Sequence, residues 1–343
     1  MLKQLAGCVR EYKRPTILTL IFIVGEAVIE TIIPFITANL VNRIKAGASI
    51  ESVMEVGLLL IIMAAISLVC GGLAGFTCAK ASTGFAKNLR SDLFHRIQTY
   101  SFENIDKFSS SSLVTRMTTD VTNVQMAFMM LIRIAIRSPL LLIFSTVMAF
   151  VMGGKLAFVF VVVIPILAIG LLAIGKKAMP AFRSVFKKYD RLNESIEENV
   201  RGMRVVKGFS REEYEKQKFN TAADNIRKDF TKAECIVALN TPLMNLCMYI
   251  NMVVVLLVGS KLAITSGGSA LDVGQISGML TYGMQILMSL MMLSMIYVMV
   301  TMSAESAKRI CEVLKEEPSL KEPETPVMEV KDGSIEFKNV NFK

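Results

Sequence analysis

Four ionisable side chains interrupt segments that are otherwise apolar. Glu26 and Glu30 stand four positions apart, as do Arg133 and Arg137, so each pair shares one face of a helix. A charge inside a membrane-spanning segment costs on the order of 3 kcal/mol on insertion scales, and such groups therefore face protein or water. Two interpretations follow: the acids attract a cationic ligand within a water-filled cavity, or they pair with the arginines and fix how the helices pack. A third, for Arg133, is that its long side chain reaches the membrane interface.

A row of methionines follows the last apolar segment at intervals of three or four residues, which places them on one stripe of a helix. Its members are Met284, Met288, Met291, Met295, Met299 and Met302. Because thioether side chains are flexible and polarisable, such a wall adapts to apolar ligands of different shapes. Ordinary packing or a lipid-facing surface is the alternative. The candidate substrate cavity combines the four charged residues with the first four methionines.

One stretch that resembles a phosphate loop does not support nucleotide binding. Gly170, Gly175 and Lys176 fit GxxxxGK, but Lys177 stands where a Ser or Thr would ligate Mg²⁺. The match also closes an apolar run instead of following a strand. No other nucleotide-binding motif occurs, and the six cysteines form no CxxC pair. We therefore assign no catalytic, cofactor-binding or metal-ligating residue.

The composition of the chain is that of a membrane protein. A mean hydropathy of +0.51, with 53% hydrophobic residues over 343 positions, exceeds what an ordinary soluble domain of this size shows. A spanning helix needs about 20 residues, so six apolar runs predict an all-α membrane protein with six spanning helices. The predicted spans are about 15–43, 56–79, 133–154, 156–176, 235–260 and 273–304.

The distribution of basic residues predicts the orientation. A net charge of +9 alone would also suit a nucleic-acid-binding protein. Of the 38 Lys and Arg residues, however, 32 lie towards the termini and in the two long loops and only 4 lie in the short loops between spans, while Arg133 and Arg137 lie in the third predicted span. This asymmetry follows the positive-inside rule. We therefore expect a multi-pass protein of the plasma membrane with both termini and both long loops in the cytoplasm, surrounded by membrane lipids and without a nucleic-acid partner.

The two long loops, 80–137 and 176–234, carry apolar residues at helical intervals among their charges. We expect each flanking span to continue as the same helix out of the bilayer, turn and return, and about 25 residues each way would project roughly 35 to 40 Å. Serines at 109–112 can cap a short helix over 113–118 at the first turn. At the second turn, Ser210 can cap a short helix over 211–217, with Glu213 three residues on as a capping box.

The two ends of the chain carry shorter patterns. In 1–14, Leu5, Val9 and Tyr12 recur at helical spacing beside basic residues, which is typical of a helix lying in the inner membrane interface. In 334–343, apolar and polar residues nearly alternate, as in a half-buried strand. A lone strand has nothing to pair with, so we expect this one to pack poorly unless the rest of its sheet is present.

Four motifs follow one another in a fixed order. They are SSSLVTRMTTDV (110–121), ENVRGMRVVKGFSREEYEKQKF (198–219), SAKRICEVLKEEPSL (306–320) and GSIEFKNVNFK (333–343). Their order and spacing resemble one half of an ATP-binding-cassette (ABC) exporter. Two further segments, LIRIAIRSPLLL (131–142) and MLTYGMQILMSLMML (279–293), are most similar to the bacterial heterodimeric multidrug type. Of the four motifs, the first two resemble its intracellular loops, the third its exit from the sixth span, and the last the first strand of its ATP-binding domain. The likeness implies an interfacial elbow helix at 1–14, a six-helix transmembrane domain at 15–310, a linker at 311–333 and the start of a truncated ATP-binding domain at 334–343.

The resemblance also implies that the two loop tips, 113–118 and 208–215, are coupling helices that seat against ATP-binding domains. The residues expected to touch such a domain or to brace the tip are Leu113, Arg116, Asp120, Phe209, Arg211, Glu212 and Tyr214. ATP and Mg²⁺ are implied for the intact transporter but not for this chain, which lacks the ATPase motifs. The implied partners are ATP-binding domains and a second half-transporter, with a heterodimer favoured over a homodimer.

The expected function is that of a membrane-spanning subunit of an ATP-driven exporter, which moves amphipathic or lipophilic small molecules out of the cytoplasm by alternating access. A lipid or peptide exporter is the alternative within the family. A membrane scaffold or binding protein without its own motor is the alternative from a different class.

Overall fold

The structure is a computed structural model that describes residues 2–268, 271–319 and 332–341. Its helices are α1 (Leu2–Gly7), α2 (Lys13–Lys45), α3 (Ile50–Gln98), α4 (Phe102–Phe108), α5 (Ser110–Thr115), α6 (Val121–Gly153), α7 (Phe158–Arg201), α8 (Met203–Gly208), α9 (Glu212–Ala238), α10 (Asn240–Thr265) and α11 (Val273–Lys315). Short 3₁₀ turns occupy Arg10–Tyr12 and Gly154–Ala157, and a π-helical turn occupies Arg116–Asp120. Within these described ranges the chain is all-α, as predicted.

Five helical runs of the described chain are long and apolar enough to cross a membrane. They are Arg10–Lys45, Ile50–Gln98, Ser110–Arg201, Glu212–Thr265 and Val273–Lys315. These runs support a multi-pass membrane protein, but five is not the predicted six. The third run includes two long helices, α6 and α7, which separate where Gly154 adopts a φ of +50°.

Three helices are far longer than a bilayer is thick. α3 has 49 residues, α7 has 44 and α11 has 43, which corresponds to about 65 to 74 Å at 1.5 Å per residue. The hydrocarbon core of a bilayer is only about 30 Å thick. α11 begins at a capping box between Asp272 and Gln275, which satisfies backbone N–H groups that have no partner within the helix. As predicted, the second and fourth apolar runs continue as the same helices, α3 and α7, into the charged segments. The fifth does not, because α9 ends at Ala238 and α10 begins at Asn240, inside the predicted span 235–260.

One hydrophobic core lies where α3, α6 and α11 leave their apolar runs. Phe85, Leu89 and Leu93 of α3 are almost completely buried there, against Val121 of α6 and Ile310 of α11. Full burial of a side chain of this size contributes about 1.5 to 3 kcal/mol. This core therefore fixes the arrangement of the three helices close to the first loop.

The N-terminal segment packs onto the same core. Leu5, Cys8 and Val9 are buried among residues of α3 and α11, and Arg10 pairs with Asp92 of α3 at 2.8 Å. Burial, together with the contact between the Cys8 thiol and Asp92, raises the pKa of that thiol to about 11. The apolar side of the predicted elbow helix thus contacts protein, and its place in the membrane interface stays a prediction.

A second core surrounds α11 along its apolar half. Tyr282 is fully buried and donates its hydroxyl hydrogen to the carbonyl oxygen of Thr31, at 2.7 Å. Gly274 lets α2 and α11 approach closely, because a Cβ at this position would stand 2.0 Å from the carbonyl oxygen of Ala38. Its N–H donates to Asn42 Oδ1 at 2.7 Å. α2 and α11 are therefore held together along the segments that carry predicted cavity residues.

α7 and α9 form an antiparallel pair joined through α8. Lys188 Nζ lies 2.5 Å from Asp229 Oδ2, and Asn199 Nδ2 donates to Glu215 Oε2 at 3.0 Å near the turn. This pair carries the second loop tip, whereas the first tip packs on α11.

The prediction of a C-terminal strand is wrong for the part of that segment that the structure describes. Residues 332–341 form neither strand nor helix, and Ile335, Phe337 and Val340 are exposed. Alternation indicates which face a strand would bury, but a strand forms only through hydrogen bonds to a neighbouring strand. The described residues offer no such neighbour. Residues 320–331, most of the predicted linker, lie outside the described chain, and α11 continues through the linker's first residues to Lys315.

Candidate substrate cavity and coupling surfaces

One guanidinium lies between the two predicted acids. Arg137 Nη2 of α6 is 2.5 Å from Glu30 Oε1 and 3.4 Å from Glu26 Oε1, both on α2. The side chains are partly buried, with exposures between 15 and 36%. We call Glu26, Glu30 and Arg137 the Arg137 cluster. Because its two carboxylates share one cation, the cluster has a formal charge of −1 when all three groups are ionised.

Gln285 connects the Arg137 cluster to α11. Its Nε2 donates to the carbonyl oxygen of Glu30 at 3.2 Å, and its Oε1 accepts from Ser145 Oγ of α6 at 2.8 Å. Polar contacts thus join α2, α6 and α11 inside their apolar segments, where an unpaired polar group is costly. Gln285 was not among the predicted residues. The sequence could have indicated it, because it is an amide side chain directly after Met284 in an otherwise apolar segment.

Arg133 is not part of the Arg137 cluster. Its guanidinium nitrogens would stand 3.9 Å from a Cβ at Gly75 of α3, and Glu26 Oε1 would stand 3.1 Å from a Cβ at Gly71. The small residues of α3 therefore leave room for polar side chains of α2 and α6. Among the described ion pairs, the acids contact Arg137 and not Arg133.

A cavity of about 340 Å³ opens beside the Arg137 cluster. Four of the eight predicted residues line it, namely Glu30, Arg137, Met284 and Met288. The predicted residues that do not line it are Glu26, Arg133, Met291 and Met295. The lining residues that were not predicted are Ile134, Ser138, Leu141, Gln285, Ser289 and Met292. Met292 lies four positions after Met288, on the same helix face. The predicted row omitted it because it continued from Met288 to Met291.

The cavity combines a charged end with a flexible apolar wall. Met284 and Met288 are 50 and 53% exposed, so their thioethers are accessible to a ligand. An amphipathic cation can place its charge near Glu30 and its apolar body against the methionines. The chemistry that the cavity supports is noncovalent binding.

The first loop tip is fastened to α11 by an ionic network. Arg116 Nη1 donates to the carbonyl oxygen of Arg309 at 2.5 Å and to Glu312 Oε2 at 3.2 Å. Asp120 is completely buried and accepts hydrogen bonds from Ser306 Oγ at 2.8 Å and from Arg309 Nη2 at 2.5 Å. Arg116 and Asp120 therefore face α11 and brace the tip.

The helix at this tip differs from the predicted 113–118. α5 is capped by Ser109, whose Oγ accepts an N–H hydrogen bond at 3.4 Å, and the π-helical turn follows it directly. The serine cluster thus caps a helix as expected, but a few residues earlier. Leu113 is buried in the core, whereas Val114 is 60% exposed. Leu113 is therefore not available to a partner, whereas Val114 is.

The second loop tip presents aromatic side chains at the surface. Phe209 is 77% and Tyr214 is 57% exposed, and the guanidinium of Arg211 lies 5.4 Å from the centroid of the Tyr214 ring. Lys207 Nζ lies 3.0 Å from Glu212 Oε1. A hydrogen bond from its own backbone N–H, and then the Lys207 ammonium, lower the pKa of the Glu212 carboxyl. The predicted residues of this tip are thus available to a partner, unlike those of the first tip.

The predicted capping box at the second tip does not form. Arg211, and not Ser210, occupies the N-cap position of α9, and Ser210 lies in the turn before it with a φ of +50°. α8 ends at Gly208 and α9 begins at Glu212, without a side-chain cap. The predicted single helix over 208–215 is therefore replaced by a turn between two helices.

A groove of about 810 Å³ runs beside the second tip between α7, α8 and α9. Its apolar wall includes Ile196, Val200, Met203 and Phe219, each of them exposed. None of the residues that line this groove lines the cavity beside the Arg137 cluster. We therefore assign the groove to the surface of the second tip.

A family model described as ABC transporter transmembrane region matches residues 16–291. The chain is 31% identical over 326 residues to the uncharacterized ABC transporter ATP-binding protein YfiB of Bacillus subtilis (strain 168), which covers 95% of this chain and 56% of that protein. It is 26% identical over 318 residues to the uncharacterized ABC transporter ATP-binding protein Rv1273c of Mycobacterium tuberculosis (strain ATCC 25618 / H37Rv), with 93% and 54% covered. It is also 27% identical over 207 residues to the ATP-dependent lipid A-core flippase of Pseudomonas syringae pv. tomato (strain ATCC BAA-871 / DC3000), with 60% and 34% covered. The chain spans about half the length of the first two relatives. It belongs to the family of ABC transporter transmembrane regions.

Proposed function

We propose that the chain forms the membrane-spanning part of an ATP-driven exporter that carries amphipathic small molecules out of the cytoplasm by alternating access. The observation that supports this most is the cavity in which the Arg137 cluster meets the methionines of α11. In this proposal α6 and α7 each cross the plasma membrane, which gives six spans. Both termini and both loop tips then lie in the cytoplasm, in agreement with the distribution of Lys and Arg.

The charge of the Arg137 cluster favours a cationic substrate. Glu26 and Glu30 share Arg137, so a second cation in the cavity would find a carboxylate that is only partly compensated. The thioethers of Met284 and Met288 accommodate apolar groups of different shapes, which supports the multidrug class.

Coupling to ATP would occur at the loop tips. The names of the relatives YfiB and Rv1273c describe ATP-binding proteins about twice as long as the matched segment, which supports ATP-binding domains as partners that bind ATP and Mg²⁺. Phe209 and Tyr214 supply exposed surface for docking, and the contacts of Arg116 and Asp120 would pass a displacement of the first tip to α11. A second half-transporter would complete the cavity. The preference for a heterodimer rests on the sequence resemblance.

Lipid export is a second candidate. It is favoured by the relative that is named an ATP-dependent lipid A-core flippase, at 27% identity. A lipid would use the same cavity for its headgroup, so the two candidates differ in the preferred ligand and not in the mechanism.

The test is ATP-dependent uptake of a cationic fluorescent dye into inside-out vesicles that contain the full-length transporter. Glu26→Gln/Glu30→Gln removes both carboxylates, and we expect the KM for the dye to rise at least about tenfold, which corresponds to about 1.4 kcal/mol. The KM for a neutral lipophilic dye should change less. Glu51→Gln/Glu55→Gln is the matched control, since these acids are also four residues apart but lie exposed at the start of α3.

A triple variant separates lost binding from misfolding. Removing both acids leaves Arg137 without its partners inside the membrane, so Arg137→Gln is added to the double variant. The triple variant should regain the thermal stability of the parent but not its affinity for the cationic dye. An unchanged KM in both variants would remove the acids from the substrate site, and loss of lipid translocation with normal dye uptake would favour the lipid candidate.

A further inference from the structure

Three methionines of α11 share one register of the helix and line the cavity beside the Arg137 cluster. Met284, Met288 and Met292 follow one another at four-residue intervals. On the same register the preceding residue is Leu280 and the following one is Ile296, and neither lines the cavity. Thioethers therefore occupy this register only where it meets the cavity. An apolar wall alone does not require this pattern, because leucine or isoleucine would form such a wall as well.

Neighbouring methionines on this register are close enough to bind one metal ion together. Side chains four residues apart on a helix have Cβ atoms about 5 to 6 Å apart. A thioether sulfur lies two bonds beyond its Cβ, and a sulfur–metal bond measures about 2.3 Å, so the two sulfurs of a pair can stand on either side of one ion. Met284 and Met292 are about 12 Å apart along the helix axis, which is too far for them to share an ion. Met288 therefore belongs to both possible pairs.

The donor atoms of the cavity select a soft monovalent cation. Thioether sulfur is a soft, uncharged ligand that suits copper(I), whereas zinc is held by thiolate, imidazole and carboxylate groups. No His or Cys is among the described residues that line the cavity. Within the described chain, no group of three or more His, Cys, Asp or Glu side chains could hold a metal ion. The Arg137 cluster supplies a formal charge of −1, which compensates one positive charge.

We propose that this cavity binds a soft monovalent metal ion of the copper(I) type between Met288 and either Met284 or Met292. The Glu30 carboxylate, which lines the same cavity, is the counter-charge. The sulfur atoms donate lone pairs to the ion; no proton is displaced, because a thioether carries none, and the ion is neither oxidised nor reduced. This inference rests on the proposed function for placing the substrate in this cavity, and it adds an inorganic cation to the substrate classes.

The test measures the binding of silver(I) to the full-length transporter in detergent. Silver(I) is the probe because it shares the charge of copper(I) and its preference for sulfur, but is stable in air. The native cysteines are blocked with N-ethylmaleimide in every variant, and nitrate replaces chloride in the buffer. Equilibrium dialysis followed by elemental analysis gives the Kd. Leucine replaces methionine in the variants, because it keeps an apolar side chain of similar size but has no sulfur.

The two possible pairs predict an order of effects. Met288→Leu should raise the Kd for silver(I) at least about tenfold, which corresponds to about 1.4 kcal/mol, because neither pair remains. Met284→Leu or Met292→Leu leaves one pair and should raise the Kd less than about threefold. The double variant Met284→Leu/Met292→Leu leaves no pair and should therefore match Met288→Leu.

A matched control tests whether the cavity, and not any pair of methionines, is responsible. Met299 and Met302 are also neighbours on α11, but they lie outside the cavity, so Met299→Leu/Met302→Leu should leave the Kd unchanged. Excess zinc should not displace the silver from the parent. The proposal is overturned if the parent binds no silver, if Met288→Leu binds it as tightly as the parent, or if the control variant loses as much affinity as Met288→Leu.

The dye assay separates this inference from the proposed function. If the parent transports the cationic dye with the expected dependence on Glu26 and Glu30 but binds no silver, the metal site alone is overturned. If silver binding depends on Met288 while the KM for the dye is unchanged in Glu26→Gln/Glu30→Gln, the metal site is supported and the acids are removed from the dye site.

Discussion

The contact between Asp120 and Arg309 should determine how firmly the first loop tip is attached to α11. Asp120 is completely buried, while the side chain of Arg309 is 43% exposed. Removing one member of a fully buried ion pair costs about 3 to 5 kcal/mol, and the partial exposure of Arg309 reduces our expectation for Arg309→Met to about 2 to 3 kcal/mol. Asp120→Asn should cost only about 1 kcal/mol, because water can solvate the arginine that remains.

Hydrogen–deuterium exchange measures this cost locally. If the tip opens independently of the rest, a loss of about 2 to 3 kcal/mol raises the exchange rates of α5 amides about 30- to 150-fold. The double variant Asp120→Asn/Arg309→Met should exchange more slowly than Arg309→Met alone, because it no longer buries an unpaired charge. Arg201→Met is the control: its pair with Glu197 is 80 and 63% exposed, and it should leave α5 unchanged.

The order of the effects is the decisive part of this prediction. If Asp120→Asn loosened α5 as much as Arg309→Met, or if the two effects simply added in the double variant, burial of the carboxylate would not be the source of the cost. The tip would then be attached mainly through Leu113 and its apolar neighbours.

Three further predictions concern packing, pH and coupling. Gly274→Ala should destabilise the protein by about 1 to 3 kcal/mol, since its methyl group would stand 2.0 Å from a backbone oxygen, whereas Gly72→Ala, which meets open space, should not lower the Tm. The hydrogen bond from Lys45 holds the pKa of Asp272 below its ordinary value; because the folded-state pKa is depressed, this stabilisation is present above about pH 4 and is lost as the pH falls through the folded value, and Asp272→Asn should flatten that part of a Tm-against-pH profile. Phe209→Ala changes a side chain that is 77% exposed, so it should keep the Tm but reduce substrate-stimulated ATP hydrolysis by the full-length transporter; a lowered Tm with normal stimulation would contradict this.

The features that sequence alone predicted are those set by local pattern. α3 and α7 could be anticipated because the helical period of apolar residues continues from each apolar run into the charged one. The sequence allowed two interpretations of Glu30, binding of a cationic ligand or pairing with an arginine. Its pairing with Arg137 is one of them, because a charged group in an apolar segment is stabilised by an opposite charge.

The features that the sequence alone did not predict depend on contacts between distant segments of the chain. Nothing in the first loop indicates that Asp120 meets Arg309, nearly two hundred residues away, or that Gln285 reaches Ser145. Ser210 suited a capping box by residue type, but the reversal of the chain between α8 and α9 requires a left-handed φ there. The alternation in 334–343 is a real strand pattern, yet it gives no strand in the described residues because pairing is not a local property.

The central claim, that the transported molecule binds beside the Arg137 cluster, is tested most directly by substrate protection of a thiol at Met288. Met288→Cys is labelled with a maleimide in vesicles, with and without the cationic dye, and Met302→Cys serves as the control because it lies on the same helix with nearly the same exposure, 52 against 53%, but outside the cavity. The native cysteines are corrected for by labelling the parent. We predict that saturating dye slows labelling of Met288→Cys at least about tenfold, leaves Met302→Cys unchanged, and loses this effect when Glu26→Gln/Glu30→Gln is added. Equal protection at both positions, or at neither, would contradict the assignment of this cavity.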